Sequence, residues 1–422
     1  MRSPAIGNKI VDFFTLAHKI SFYPLIVAIV LWMATTLFSH SEPFRFSDSK
    51  AYWFEANALV HDGEFREPFD TGTVPTTWRP PLTGFVTSLV LRTCDDPNVV
   101  VRLQQLMFFI TAICLFACMR KLNVRAGIAM LFALFYLWLP SINDVARSIM
   151  SETWFMLFVV FSIFCALCLK DSRSRSSLML FALMCGVSAG LALLTRTVFV
   201  ALIPTILILV FQLIQTKKKS IAIWLFFFAF LATLAPWTLR NYQVHHQFVF
   251  INTADGYNVY LGNVHDTATM PAKHPDRQRI EILRKRYGEI KTQKILKSRA
   301  WRYILSHKAQ SLKRWGVNSI KLWLSTTSRP RPLLFRLIVV FSKFTLLALA
   351  LIGFFVFRKQ AEAWAFICTP VFLTIVHAMT FATWRFWIPA APACVFLAAM
   401  IVNKWLDSCI EFSMALGRGA RG

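Results

Sequence analysis

Long apolar runs alternate along the chain with short polar breaks that carry most of the basic residues. Ten of these runs are about as long as the hydrocarbon core of a bilayer is thick, which is the length of a transmembrane helix. They lie at about 20–38, 99–119, 126–142, 149–169, 178–194, 198–215, 220–238, 336–357, 362–381 and 386–402. The pattern therefore predicts one all-α, polytopic membrane domain over residues 1–403 and a short tail over 404–422.

Composition agrees with this prediction and excludes other classes. The 422 residues are 56% hydrophobic, which is too apolar for a soluble domain. A net charge of +25 would suit a nucleic-acid-binding protein, but the basic residues lie between predicted spans, so we expect no nucleic-acid partner. Most of the nine cysteines lie inside apolar runs, where cysteine behaves as a small hydrophobe, and no disulfide framework is predicted.

The basic residues also orient the chain in the membrane. Arg2, Lys9 and Lys19 precede the first run, which places the N-terminus in the cytoplasm. No small-residue cleavage site follows that run, so we expect a retained anchor rather than a signal peptide. With ten spans, the loops 39–98 and 239–335 then face outward and the tail is cytoplasmic. We expect a multi-pass protein of the inner (plasma) membrane whose functional side faces the periplasm or exterior.

The long loop 239–335 departs from the usual placement of positive charge in the cytoplasm. It holds 18 Lys and Arg against 5 Asp and Glu, a net charge of +13. Within it, residues 276–301 predict a basic amphipathic helix, whose apolar face is formed by Ile280, Leu283, Tyr287 and Ile290. Either this helix lies on anionic lipid or the loop binds a phosphate-bearing lipid substrate, and the sequence leaves both open.

The densest polar chemistry near a membrane boundary lies in residues 46–82 of the first outer loop. Helical spacing places four of its residues on one face, namely Asp48, Tyr52, Glu55 and Leu59. We expect Ser47 or Asp48 to cap this helix and Gly63 to end it. After Arg79, Pro80 and Pro81, a second short amphipathic helix is predicted, with an apolar side formed by Leu82, Phe85, Val86, Leu89 and Val90. Both helices are predicted to lie at the membrane surface on the outer side.

Ionisable residues recur at the outer ends of the predicted spans. The set comprises Asp48, Arg79, Asp144, Glu152, Arg196, Arg240 and Arg385. Charged groups at such boundaries are costly to place in lipid and commonly line a cavity. A few carboxylates among several arginines suit transfer from a phosphate leaving group, with a carboxylate as base and arginines on the phosphate. Snorkelling arginines and a helix-capping aspartate explain the same residues without chemistry.

The sequence resembles the bacterial GT-C glycosyltransferases of the protein-mannosyltransferase and aminoarabinose-transferase type, often called family 39-like. Seven short motifs carry the resemblance in order along the chain. They are Asp48-Ser49-x-x-Tyr52 with Gly63, Arg79-Pro80-Pro81-Leu82, Ser151-Glu152-Thr153, Gly190-Leu191-Ala192-Leu193-Leu194-Thr195-Arg196, Pro236-Trp237-Thr238-Leu239-Arg240-Asn241-Tyr242, Gly256-Tyr257-Asn258-x-Tyr260-x-Gly262-Asn263 and Trp384-Arg385-Phe386-Trp387-x-Pro389. The resemblance implies a GT-C fold of about ten transmembrane helices with periplasmic juxtamembrane helices.

The resemblance also implies an activity and a site. Such enzymes move a sugar from a polyprenyl-phosphate carrier to an acceptor on the outer face, here a cell-envelope glycolipid, glycan or protein. By this resemblance Asp48 is the catalytic base. Glu152, which opens a predicted span, is expected to assist by orienting the acceptor or a metal. Donor phosphate would be bound by Arg79, Arg240 and Arg385. Substrate contacts are predicted for Tyr52, Arg196, Tyr257 and Asn258.

Two features depart from the family pattern and leave the acceptor open. The acidic pair expected in the first loop is absent, because Ser49 follows Asp48. We also expect no soluble domain of the kind that many relatives carry after their last span. An oligosaccharide polymerase or ligase and a lipid-linked sugar flippase or transporter remain alternatives. A flippase would carry its polar groups in the middle of the bilayer. No cofactor is expected, no residue is assigned as a metal ligand, and a divalent-cation requirement stays open.

Overall fold

The computed structural model describes residues 41–67, 75–172, 174–213, 219–265, 274–326 and 332–419. The described residues form helices joined by turns and loops, with no strand beyond an isolated bridge between Arg66 and Pro75, which confirms the all-α prediction. Its helices are α1 (Ser47–His61), α2 (Leu82–Leu91), α3 (Pro97–Lys121), α4 (Ala126–Trp138), α5 (Pro140–Ala146), α6 (Ser151–Lys170), α7 (Arg175–Thr195), α8 (Ile203–Leu213), α9 (Lys219–His245), α10 (Asp255–Tyr260), α11 (Pro275–Ser306), α12 (Lys308–Leu324), α13 (Leu333–Phe357), α14 (Ala361–Met379) and α15 (Ala391–Gly419).

Nine of the ten predicted spans fall on described helices, and the first, at 20–38, lies outside the described residues. Seven of the helices are long and apolar enough to cross a membrane, namely α3, α6, α7, α9, α13, α14 and α15 with the turn before it. The predicted third span is two helices, α4 and α5, bent by 59° at Leu139. The sixth is a 3₁₀ segment, Thr197–Leu202, that continues into the short helix α8. The described chain thus has seven candidate spans, or eight with the bent pair, and the count of ten is not confirmed.

The bundle packs closely where small residues allow two helix backbones to approach. Gly186 and Gly190 lie one turn apart on α7 and face α9. A Cβ at Gly186 would lie 2.3 Å from the carbonyl oxygen of Phe226, and one at Gly190 would lie 2.8 Å from the Cβ of Thr233. Any larger side chain would push α7 and α9 apart, in the manner of small-residue helix contacts in membranes. This contact fixes the end of α7, where Arg196 follows.

Helix α1 forms as predicted, but its start differs from the prediction. The helix begins at Ser47 after the extended residue Phe46, and no side chain caps it. The expectation that Ser47 or Asp48 is the cap is therefore wrong, because the carboxylate of Asp48 is bound by arginine side chains instead. The end is as predicted, since Gly63 follows the helix with a φ of +72°, where a glycine is favoured.

Helix α2 packs on α1 with its polar side inward. Thr83, Gly84, Thr87 and Ser88 are buried, whereas the predicted apolar side is partly exposed, with Phe85 45% and Leu89 46% accessible. In water this arrangement would be unfavourable, because apolar surface would be hydrated. It suits a helix whose outer side contacts lipid, in agreement with the prediction of a juxtamembrane helix.

The segment 239–335 is largely helical in its described parts, which are 239–265, 274–326 and 332–335. It contains the last turns of α9, then α10, a π-helical turn (Leu261–His265), α11 and α12. Helix α11 is longer than the predicted 276–301 and breaks at Gly288, whose φ of +75° is non-helical. The predicted single apolar face is wrong, because the break rotates the second half. Around and after the break the buried residues are Arg284, Glu289, Thr292, Gln293 and Leu296, whereas Tyr287 is exposed.

Candidate active site

The first-loop helix directs three of its side chains toward the ends of the spans. Asp48, Tyr52 and Glu55 follow at helical spacing on α1, and Tyr52 and Glu55 are buried. The side chain of Asp48 remains 28% accessible, so it lies at the edge of the cluster rather than inside it. The sequence periodicity predicts this arrangement, which leaves the carboxylate of Asp48 at the accessible edge of the cluster.

Asp48 is held between two arginines from distant parts of the chain. Its Oδ1 accepts a hydrogen bond from Nη2 of Arg79 at 3.3 Å, and its Oδ2 accepts one from Nη2 of Arg385. Burial alone raises the pKa of Asp48, but the charges of Arg385 and Arg79 outweigh it and hold that pKa well below its ordinary value. Asp48 is therefore ionised, and both guanidiniums are directed at it.

Arg79 is also bound by two glutamates that sequence analysis did not assign to the site. Its Nη1 donates a hydrogen bond to Oε1 of Glu67 and lies 3.6 Å from Oε1 of Glu55. Burial raises the pKa of Glu55 well above its ordinary value, and the neighbouring carboxylate of Glu67 raises it further. Arg79 is therefore held from below by two buried glutamates, of which Glu67 makes the direct hydrogen bond.

Glu152 provides the equivalent anchor on the other side of the site. It lies in the first turn of α6 with only 1% of its side chain accessible. Its Oε1 is 2.7 Å from Nη1 of Arg196 and 3.7 Å from Nε of Arg385. Arg196 also donates to the hydroxyl of Ser151 at 2.9 Å, and the ring of Phe386 lies 5.9 Å from its guanidinium. Three arginines thus contact four carboxylates, and Asp48 is the most accessible of the four.

The segment that presents Arg385 is fixed by a buried lysine that the sequence analysis missed. Lys343, in the middle of α13, is 1% accessible, and its ammonium donates to the carbonyl oxygens of Ser325 at 2.6 Å and Trp384 at 3.4 Å. It also lies 5.0 Å from the ring centre of Trp387. A charge in the interior of an apolar run is a signal that could have found it. Lys343 thus contacts the carbonyl oxygen of Trp384 before Arg385 and the ring of Trp387 after it.

A second polar cluster lies beside the first and positions the loop that carries Arg79. The carboxylate of Glu289 accepts hydrogen bonds from the hydroxyls of Thr76, Thr77 and Thr253 and from the amide of Thr77. Arg284 donates to it at 3.0 Å. The structure does not bring Arg240 to Asp48: its Nη1 donates to the carbonyl oxygen of Thr76 at 2.8 Å. Arg240 therefore contacts the loop two residues before Trp78 and three before Arg79.

The remaining predicted site residues contact different parts of the protein, and only Tyr52 lies directly beside Arg79 and Asp48. Tyr52 lies beneath Arg79, with 5.7 Å between the guanidinium and the ring centre. Burial and the charge of Asp48 raise the pKa of Tyr52 to about 12, so the phenol is neutral. Tyr257 packs on the ring of Trp78 at 5.2 Å, and Asn258 is half-buried beside it in α10. Asp144 pairs with Arg45 at 3.0 Å, outside this cluster.

Among the residues that the structure describes, no group of three or more His, Cys, Asp and Glu side chains has the arrangement of a metal site.

Glu55 and Glu67, the two glutamates that the sequence analysis did not assign to the site, differ in whether the sequence contains a pattern that could have identified them. Glu55 was already on the predicted face of α1, one turn beyond Tyr52, and could have been chosen as a second carboxylate. Glu67 lies in a charged stretch with no periodicity, so its approach to Arg79 follows only from the tertiary fold.

Comparisons with known proteins agree with this architecture. A model of the dolichyl-phosphate-mannose-protein mannosyltransferase family matches residues 78–239, which include Arg79, Glu152 and Arg196. No curated protein matches the chain. The chain is similar to the crystal structure of the Archaeoglobus fulgidus oligosaccharyltransferase in complex with Zn and sulfate, with a TM-score of 0.56 and 13% identity over 94% of this chain and 51% of that one. ArnT from Cupriavidus metallidurans in the apo state matches with a TM-score of 0.41 and 15% identity, over 94% and 78%.

The resemblance predicted from the motifs is thereby confirmed, and the chain has the GT-C membrane fold. The family model matches the part of the chain from residue 78 to residue 239. The chain spans about half the length of the oligosaccharyltransferase it resembles, and at this identity the likeness shows the fold alone.

Proposed function

We propose that this protein is an inverting glycosyltransferase that moves a sugar from a polyprenyl-phosphate carrier to a cell-envelope glycolipid, glycan or protein. The observation that carries the proposal is the position of Asp48, a partly accessible carboxylate between the guanidiniums of Arg79 and Arg385. A base next to two phosphate-binding groups is what transfer from a phosphate leaving group requires. The match to a family named for a polyprenyl-phosphate sugar supports the donor class.

The reaction is a single displacement at the anomeric carbon. Asp48 takes the proton of an acceptor hydroxyl, whose oxygen forms a bond to the anomeric carbon through an oxocarbenium-like state. The bond between that carbon and the donor oxygen breaks, and its electron pair leaves with the polyprenyl phosphate. One displacement inverts the anomeric configuration. Arg79 and Arg385 stabilise the charge that develops on the departing phosphate.

Other residues of the site take supporting roles in this proposal. Glu152 holds Arg196 and Arg385 in place from beneath and orients the acceptor. Arg240 supports the donor side indirectly, through the carbonyl oxygen of Thr76 in the loop that presents Arg79. Tyr257 and Asn258, near Trp78, are proposed to contact the part of the substrate that extends away from Asp48.

The proposed donor follows from the proposed location. A site on the periplasmic or outer face of the inner membrane has no nucleotide sugar at hand, so an activated sugar must cross the membrane on a lipid. We test the location by cysteine labelling in intact spheroplasts after Cys94 has been replaced by Ser. An impermeant thiol reagent should label Lys285→Cys, on the exposed side of α11, and should not label Lys359→Cys, between α13 and α14. The reversed pattern would contradict both the orientation and the donor argument.

The donor is tested directly with the purified, monodisperse protein. We expect it to release polyprenyl phosphate from a polyprenyl-phosphate sugar when acceptor is present and to leave nucleotide sugars unchanged. Mass spectrometry of envelope glycolipids and glycans from a deletion strain identifies the missing sugar and so supplies the acceptor. A product of retained anomeric configuration would contradict the single displacement.

A further inference from the structure

The arginines of the site have carboxylate partners within the protein itself. Arg79 is bound by Glu67 and Asp48, Arg196 by Glu152, and Arg385 by Asp48. A donor phosphate that enters this site therefore meets guanidiniums whose hydrogen bonds are in use. It can bind them only if a carboxylate gives them up.

The same ion pairs also limit what Asp48 can do as a base. A carboxylate that accepts hydrogen bonds from two guanidiniums is held as the anion, and its pKa lies below the ordinary range. Such a group is a poor base, because proton abstraction becomes easier as the pKa of the base approaches the working pH. The same contacts that occupy the arginines thus also keep Asp48 from accepting a proton.

The two nitrogens of each arginine differ in how firmly they are held. Nη1 of Arg79 is bound to Glu67, which is fully buried, whereas Nη2 is directed at Asp48. Nε of Arg385 lies 3.7 Å from the buried Glu152, whereas Nη2 is again directed at Asp48. Each guanidinium therefore has one side anchored by a buried glutamate and one side directed at the most accessible carboxylate of the cluster.

We propose that Asp48 occupies the place of the donor phosphate in the substrate-free enzyme, and that donor binding exchanges Asp48 for phosphate on Nη2 of Arg79 and Arg385. The exchange needs no large movement, because the buried glutamates hold both guanidiniums where they are. It frees the Asp48 carboxylate to turn toward the acceptor hydroxyl at the moment the donor is in place. This inference rests on the proposed function, since it requires a phosphate-linked donor.

Charge is conserved through the exchange and the reaction. The phosphodiester of the donor carries one negative charge, like the carboxylate it displaces. When Asp48 takes the proton of the acceptor, it becomes neutral, and the bond to the sugar breaks so that the departing phosphate gains the second negative charge. The arginines face one more charge on the phosphate after transfer than before, which favours the transition state over the bound donor.

The exchange makes an unusual prediction for binding. Asp48→Asn should bind a polyprenyl monophosphate more tightly than the wild type, although it loses turnover, because the amide releases the guanidiniums more readily than the carboxylate does. We expect an affinity gain of about 10- to 100-fold for farnesyl phosphate, the range for hydrogen bonds between charged groups. The measurement is microscale thermophoresis or calorimetry on the full-length protein in detergent, with farnesol as the control that lacks the phosphate.

A matched control separates the exchange from a general loss of negative charge. Asp255→Asn removes the same charge from an exposed pair with Lys297 and should leave the affinity for farnesyl phosphate unchanged. In an Arg385→Ala background most of the gain from Asp48→Asn should disappear, because one of the two competing contacts is already gone. A gain that persists undiminished there would reflect simple repulsion and overturn the exchange.

The outcomes distinguish this inference from the proposed function. If the wild type binds farnesyl phosphate and turns over the lipid-linked sugar, but Asp48→Asn binds equally or more weakly, the exchange is wrong and the proposed function stands. If neither protein binds farnesyl phosphate and no lipid-linked sugar is turned over, both are wrong. Size-exclusion profiles of the variants that match the wild type confirm that the comparison is between folded proteins.

Discussion

Two carboxylates, Glu289 and Asp48, contact the same loop, at Thr76 and Thr77 in one case and at Arg79 in the other. They differ in how accessible they are. Glu289 accepts hydrogen bonds from three threonine hydroxyls, one backbone amide and Arg284, and its side chain is 6% accessible. Asp48 is bound by two guanidiniums, and its side chain is 28% accessible. The partners of Glu289 form a closed buried network, whereas Asp48 is partly accessible beside its two arginines. This difference in accessibility, rather than the presence of an ion pair, is the reason that we propose Asp48 and not Glu289 as the base.

The largest expected difference between the two carboxylates is in turnover. Asp48→Asn keeps the shape of the side chain but cannot accept a proton, so we expect turnover of a polyprenyl-phosphate sugar to fall by about 10²- to 10⁴-fold. Glu289→Gln, which lies outside the reacting groups, should keep turnover within about tenfold of the wild type. Both are measured with purified protein of unchanged size-exclusion profile. Near-normal turnover by Asp48→Asn would remove Asp48 as the base and leave Glu152 as the next carboxylate to test.

A smaller effect is expected from the arginine that faces Asp48 across the site. Arg385→Ala should lower kcat/KM for the donor by about 10- to 100-fold, because a hydrogen bond to a charged group is lost. Arg385→Lys should recover part of this loss, since an ammonium still places a positive charge near phosphate but cannot bridge two groups. The matched control is Lys297→Ala, an exposed cation on α11 that pairs with Asp255, which should behave as the wild type. Equal kinetics for all three variants would indicate that Arg385 only positions the loop.

The smallest expected effect is on stability and concerns Glu289. Glu289→Gln removes an acceptor from a buried network and should lower the free energy of unfolding by about 1–3 kcal/mol. Although burial raises the pKa of Glu289, Arg284 and the threonine hydroxyls outweigh it and lower that pKa below its ordinary value of 4.5. The stabilisation is therefore complete above pH 4.5 and is lost as the pH falls below that value.

Thermal unfolding in detergent at pH 7 and at pH 4 measures this dependence. The wild type should lose more stability than Glu289→Gln between these two values, because the amide does not titrate. A variant that loses stability on acidification as steeply as the wild type would show that other groups dominate the pH dependence. The result would then place Glu289 among the ordinary buried polar residues.

Much of the fold was predictable because hydrophobic run length and helical spacing are local signals. Nine described helical regions coincide with the predicted spans, and α1 places Asp48, Tyr52 and Glu55 on one side as its periodicity requires. The same signals failed at Gly288, where a single positive φ rotates the rest of α11. A period of 3.6 residues carries no information about such a break, and the glycine alone does not reveal it.

The sequence predicts most of the residues of the candidate site, but it does not predict which of them form ion pairs with each other. Asp48, Arg79, Glu152, Arg196 and Arg385 were chosen because they sit at the same ends of the spans, and the structure brings these five together. Arg240 fits the same rule but contacts a neighbouring loop, because its position on α9 directs it to Thr76. Glu67 is in the cluster without any periodic signal. Which charges meet depends on the rotation of each helix about its axis, which run length does not determine.

Helix α2 has its polar side toward the protein and its apolar side outward. We therefore expect the position of the candidate site relative to the membrane surface to depend on this helix. Its buried residue Gly84 lies against Glu55, so that a Cβ there would be 3.1 Å from the carboxylate, while Phe85 and Leu89 point away from the protein. We expect lipid to contact this outer side of α2, and membranes differ in hydrophobic thickness by several ångströms. We expect turnover in nanodiscs to have an optimum in acyl-chain length, and Phe85→Ser with Leu89→Ser to flatten that optimum while the core remains folded.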